Sequence, residues 1–104
     1  MDQENAGADF SATSSVTEGR VTVVVRGEVD MSTADAMVRA ATGDGVQSAT
    51  IDLRGVTFFD SAAIHALIRL AERFPDSFEV IPSPQVHRVL DISGLSTQPW
   101  LVQG

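Results

Sequence analysis

The segment from Ser48 to Phe74 changes its hydrophobic period part-way along, and this constrains the fold more than any other feature. "SATIDL" alternates, with Ala49, Ile51 and Leu53 on one face of a strand. The strand-like stretch ends on Phe58-Phe59, and a helix-like one begins at Asp60-Ser61. At about 100° per residue, Ala63, Leu67, Leu70 and Phe74 form one apolar stripe, widened by Ile64 and Ala71. Ser61, His65, Arg69 and Glu72 fall on the opposite side. A one-faced helix joined this closely to a strand buries its stripe by lying on the sheet that the strand belongs to.

The rest of the chain supplies that sheet. Phe10, Ala12, Ser14 and Val16 alternate, "TEG" interrupts, and "VTVVVRG" resumes the pattern. This predicts two strands joined by a tight turn at Glu18-Gly19. Val21, Val23, Val24 and Val25 are apolar at both parities, which predicts a central strand covered on both faces. In "DMSTADAMVRAATGDG", Ser32 or Thr33 can cap a helix, Asp35 suits the acidic position of a capping box, and Gly43 ends the run. "FEVI" reads as a further strand. "SPQVHRVLDISGL" reads as a helix capped by Ser83, opened by Pro84, stopped at Gly94 and clasped by Leu95. "PWLV" suits either a short strand or a docking segment. Residues 1–9 are polar with only small apolar side chains and read as a mobile tail, leaving 10–104 as the domain. The expected fold is a single α/β domain, a mixed sheet of about four to five strands with helices packed on it.

Composition removes several chemistries. The chain has 104 residues, enough for one core that takes about 65% of the unfolded surface out of water. It has no cysteine, so disulfides, iron–sulfur clusters and thiolate zinc sites are excluded. All seven basic residues are arginine, which rules out a P-loop lysine, a Schiff base or a lysine base. The net charge of −7 weighs against nucleic acid and anionic membrane surfaces and favours a partner with a basic patch. "MDQENAGAD" lacks the basic start and apolar run of a signal peptide, and no apolar stretch approaches 18 residues. The expectation is a soluble cytoplasmic domain with no membrane insertion and no direct contact with nucleic acid.

Asp60, Ser61 and His65 invite a catalytic reading that their surroundings do not support. A serine nucleophile needs a base, an orienting carboxylate and oxyanion donors, and the G-x-S-x-G elbow is absent. His65 and His87 sit on different helices without metal-ligand spacing, so no metal, cofactor or enzymatic activity is expected. Gly43-Asp44-Gly45 follows a helix where a phosphate loop would precede one, and reads as a turn. Asp60 is a natural N-cap, and Ser61 in the first turn presents a hydroxyl that a kinase can reach. A phosphate there would find backbone donors and add about −1.5 to −2 charge beside Asp60. Its effect would fall on an interface and not on the fold.

Three motifs in order, "VRGEVDMSTA", "IDLRGVTFFDSAAIHALIRL" and "VHRVLDISGL", resemble those of a STAS domain of the anti-sigma-factor antagonist family, over about residues 10–95. The resemblance implies a binding module that docks on a kinase-type anti-sigma factor and frees the sigma factor. That kinase phosphorylates the antagonist at the helix start and a phosphatase restores it. Carried over, the phosphoacceptor is Ser61. The partner-binding set is Glu28 and Asp30, with Ser32 and Thr33 after them, and Asp60, Ser61, Ala62 and His65 at the junction. A weak homodimer is a further association to be expected. Many relatives have a second hydroxyl and then glycine after the aspartate and serine; here those places are Ala62 and Ala63. The alternatives are a non-phosphorylated adaptor and an accessory subunit of a lipid or anion transporter, whose junction would contact an ATPase. A metabolite sensor has less support, because an acidic domain without a cleft offers little to a small molecule.

Overall fold

The computed structural model describes residues 3–7 and 9–103. Five strands and three helices follow one another as β1 (Gln3–Gly7), β2 (Phe10–Thr17), β3 (Arg20–Val29), α1 (Ala34–Ala41), β4 (Ser48–Phe59), α2 (Ser61–Arg73), β5 (Phe78–Pro82) and α3 (Pro84–Ile92). The strands form one mixed sheet in sequence order. β1 to β3 are antiparallel neighbours, and β3, β4 and β5 run parallel. The parallel steps require crossovers, and α1 and α2 supply them.

The turn between β2 and β3 forms where the sequence places it. Glu18 (φ 52°) and Gly19 (φ 80°) both have the positive φ of a two-residue hairpin turn. Residues 1–9, read as a mobile tail, contain β1, whose Gln3–Gly7 pair with Phe10–Ser14. Polar composition did not prevent pairing, because an antiparallel edge strand joins through backbone groups. Met1, Asp2 and Ala8 lie outside the described residues.

One face of the sheet carries the core. Ser14, Val23, Ile51 and Val80 lie side by side across β2 to β5 and are buried, and Ala12 lies buried opposite Val25. Met37, Leu67, Leu70, Phe74 and Leu90 of the helical layer complete one continuous cluster. The other face is not covered by helices. Thr13, Val24 and Asp52 are neighbours there and only half-buried. The expectation that β3 is covered on both faces is therefore corrected. β3 is central by pairing, but Val24 packs among polar neighbours on an open face.

β4 is twice as long as "SATIDL" and carries two bulges. Val24 and Arg26 pair with Asp52 and Gly55, and Gly27 and Glu28 pair with Val56 and Phe58, so β4 gains an extra residue at each step. Leu53, Val56 and Phe59 thus all face the core at spacings of three, where plain alternation would turn every second one away.

α3 follows its sequence signals closely. The Ser83 hydroxyl accepts from the Val86 N–H and donates to the Val56 carbonyl. Gly94 (φ 77°) reverses the chain, and the Leu95 N–H reaches the Leu90 carbonyl at 2.7 Å, a Schellman closure. "PWLV" becomes a one-residue parallel bridge, Leu101 against Val80, on the outer edge of β5. Trp100 packs on Phe78 at 5.7 Å between ring centres.

Candidate functional site

The C-terminal ends of β3 and β4 lie side by side, with Val29 opposite Phe59, and the next residues of both strands build the site. The Asp60 N–H donates to the Val29 carbonyl at 3.3 Å, which ties the β4–α2 junction to the β3–α1 loop. Glu28 sits opposite Phe58 at the end of the second bulge. Pairing across parallel strands thus brings "GEVD" and "FFDS", some thirty residues apart, to one end of the sheet.

Asp60 is the N-cap of α2. Its carboxylate accepts from the Ala63 N–H at 3.1 Å, and its carbonyl accepts the first helical bond from the Ile64 N–H. Ser61 is the first helical residue and is exposed, with a hydroxyl that makes no hydrogen bond among the described residues. Ala62 is half-buried and Ala63 is fully buried, so the helix sits close on the sheet at the positions following Ser61. His65 is exposed one turn on. Next to it, Arg69 bridges to Asp35 of α1 at 3.1 Å, with both side chains well solvated. Such a pair contributes little to stability but links the two helices that flank the site.

The β3–α1 loop is organised by Asp30, not by the expected capping box. Asp30 accepts from the Ser32 N–H (2.9 Å) and the Ser32 hydroxyl (2.7 Å). The Thr33 hydroxyl accepts from the Asp30 N–H at 2.9 Å and has two acceptors within donating distance, the Glu28 carbonyl (3.1 Å) and the Asp30 carboxylate (3.2 Å). Thr33 is the N-cap of α1 by position but makes no side-chain capping bond. Asp30 lies close enough to take both hydroxyls first, and its own carbonyl accepts the Ala34 N–H. The Ser32 hydroxyl, then its amide, hold the Asp30 carboxyl below the ordinary aspartate pKa, against a smaller opposing effect of desolvation.

Sequence reasoning did not single out the apolar rim of this site. Met31, Phe58 and Ile68 are exposed by 84%, 49% and 36%, far more than any residue of the core. Met31 stands alone among polar loop residues, which is the signal the sequence carries for it. Phe58 turns outward because the second bulge places Phe59 inward. Ile68 lies on the same helical stripe as Ser61 and His65. Carboxylates, a free hydroxyl and unpartnered apolar side chains together make a surface suited to another protein. Among the described residues, no three His, Asp or Glu side chains gather closely enough to hold a metal. No helix among them is long and apolar enough to cross a membrane.

The family model described as "Mlab, STAS domain" matches residues 12–103. The chain belongs to the STAS domain family. Among solved structures, this STAS domain is similar to an anti-sigma factor antagonist from Mycobacterium paratuberculosis, at 27% identity and a TM-score of 0.79, covering 95% of this chain and 90% of that one. It also shares its fold with the anti-sigma factor antagonist SpoIIAA in its unphosphorylated form (18% identity, TM-score 0.66, covering 100% and 88%). The phosphorylated form of the Bacillus cell fate determinant SpoIIAA matches at 21% identity and a TM-score of 0.60, covering 100% and 91%. No curated protein sequence matches the chain.

Away from the junction, a groove of about 850 Å³ opens between β5, α3 and the C-terminal segment. The surface of this STAS domain is therefore not without a cleft, contrary to the sequence-based expectation. Cavities of this kind are formed by packing between distant segments, and periodicity does not report them.

Proposed function

We propose that this STAS domain is an anti-sigma-factor antagonist that binds a kinase-type anti-sigma factor in the cytoplasm and is released by phosphorylation of Ser61. The observation that carries the reading is the placement of Ser61. It is exposed, its hydroxyl is free among the described residues, and it stands at the start of α2 beside the Asp60 cap and the Glu28–Thr33 loop. The similarity to solved anti-sigma factor antagonists supports the same role.

In this mechanism Glu28, Asp30 and Asp60 face basic residues of the partner, while Met31, Phe58 and Ile68 supply apolar contact. The kinase transfers a phosphoryl group from ATP to the Ser61 oxygen, and the hydroxyl proton leaves to a base of the kinase. The phosphate adds about −1.5 to −2 charge next to Asp60. The start of α2 tolerates it, because backbone N–H groups and the helix dipole face it. The partner's surface does not, because bulk and unbalanced charge now stand where contact was made. A phosphatase restores the binding form.

The test is intact-mass measurement after incubation with the cognate kinase and ATP, together with binding of Ser61→Ala and Ser61→Asp. One added phosphate on wild type, none on Ser61→Ala, and affinity at least about tenfold weaker for Ser61→Asp are expected, a cost of about 1.4 kcal/mol. Equal binding by both variants with no phosphate uptake would end the reading. Ala62 favours a second one, since it leaves a single hydroxyl at the junction. This is an unphosphorylated adaptor, or a transporter subunit whose junction docks on an ATPase, and in that case pull-down recovers the ATPase.

A further inference from the structure

The groove beyond β5 shares no residue with the Ser61 surface, and its lining has a consistent chemistry. Its floor is apolar, formed by Ile81 and Pro82 at the end of β5 and by Val102 of the C-terminal segment. α3 contributes His87 and Arg88 to the lining, and Arg54 of β4 contributes a second guanidinium. Two arginines and a histidine meet at one concavity of a chain whose net charge is −7.

These cations are held differently. Arg54 is gripped by Asp52 through its Nε (3.0 Å) and Nη2 (2.7 Å), which fixes the guanidinium plane at the groove edge. Arg88 has no ion pair among the described residues, although Asp91 lies one helical turn away and also lines the groove. Asp91 instead accepts the Ser96 hydroxyl at 2.8 Å. The groove therefore presents a positioned cation, an uncommitted one and an imidazole over apolar side chains, with the one carboxylate of its lining, Asp91, engaged by Ser96. Its volume of about 850 Å³ falls in the range of small-molecule sites.

We infer that this groove binds a small organic anion, its carboxylate or phosphate head held by Arg88 and His87 and its apolar body laid on Ile81, Pro82 and Val102. A bare inorganic anion would leave the floor unused, and a neutral apolar molecule would leave Arg88 unpaired. The Arg54 guanidinium also lines the groove, oriented by Asp52. The inference is independent of the antagonist reading, since neither needs the other's residues.

The test is amide NMR titration of the full chain with phenyl phosphate, phenylacetate and inorganic phosphate. Saturating shifts concentrated at Ile81, His87, Arg88 and Val102 are expected with the aromatic anions. The stronger of the two identifies the preferred head group. Inorganic phosphate is expected to bind at least about tenfold more weakly, for want of the apolar contact. Arg88→Ala is expected to weaken binding about tenfold or more, and Arg88→Lys to restore part of it. Arg88 is exposed, so both variants are expected to fold, and their amide spectra report whether they do. Arg39→Ala, on an exposed position of α1, should change affinity less than about twofold. No saturating shift with any probe, or equal affinity of wild type and a folded Arg88→Ala, overturns the inference. So does inorganic phosphate binding as tightly as phenyl phosphate.

Discussion

Asp60 and Asp30 are two aspartates at strand ends with different tasks. Asp60 spends its carboxylate on the Ala63 N–H and so starts α2. Asp30 spends its carboxylate on Ser32 and Thr33 and so shapes a loop. The first was legible in the sequence, because an aspartate directly before an amphipathic run has few better partners than the run's own N–H groups. The second was not. Ser32 and Thr33 look like helix caps until Asp30 is seen to compete for both hydroxyls from two and three residues away. The competition has a measurable consequence. Because the folded-state pKa of Asp30 is lowered, its contribution to stability is present above the unfolded-state value and is lost as pH falls through the folded one. Ser32→Ala removes the largest cause of the lowering, so the carboxyl should titrate at a higher pH in the variant. Carbon-13 NMR of the Asp30 carboxyl against pH measures this, and an unmoved midpoint would contradict the assignment.

At the scale of elements, β4 decides what the site displays. Its bulges carry Phe59 inward and Phe58 outward, and they put Glu28 level with the junction. Gly27 makes this possible on the β3 side. Its φ is +89°, and a Cβ there would collide with the Asp9 carbonyl, which accepts the Glu28 N–H at 2.7 Å. Gly27→Ala should destabilise the domain by about 2–5 kcal/mol, adding a positive-φ penalty of about 1–2 to overpacking of about 1–3. Urea unfolding reads the loss, and an unchanged midpoint would show that the backbone relaxes freely. α3 is the opposite case. Ser83, ahead of Pro84, caps its start, and Gly94 and Leu95 cap its end, through bonds that close within a turn or two of chain.

For the molecule as a whole, charge is unevenly spent. Carboxylates gather around Ser61, while the groove beyond β5 collects Arg54 and Arg88. If the first surface meets a basic partner, association should be electrostatically steered. Raising salt from about 0.05 to about 0.5 M should slow the on-rate to the cognate kinase about tenfold and change the off-rate less. Stopped-flow mixing measures both, and a salt-independent on-rate would argue that apolar contact at Met31, Phe58 and Ile68 dominates. The amino-acid pattern by itself determined the hairpin at Glu18-Gly19, the caps of α2 and α3, the inward stripe of α2 and the motifs that mark a STAS domain. Each rests on interactions that close within one or two turns of chain. Only the tertiary structure decided that Gln3–Gly7 pair as an edge strand and that one face of β3 stays bare. It also decided that β4 bulges twice, and that an apolar rim and a cationic groove open on separate surfaces. Those features depend on which distant segments become neighbours, and hydrophobic periodicity carries no record of that choice.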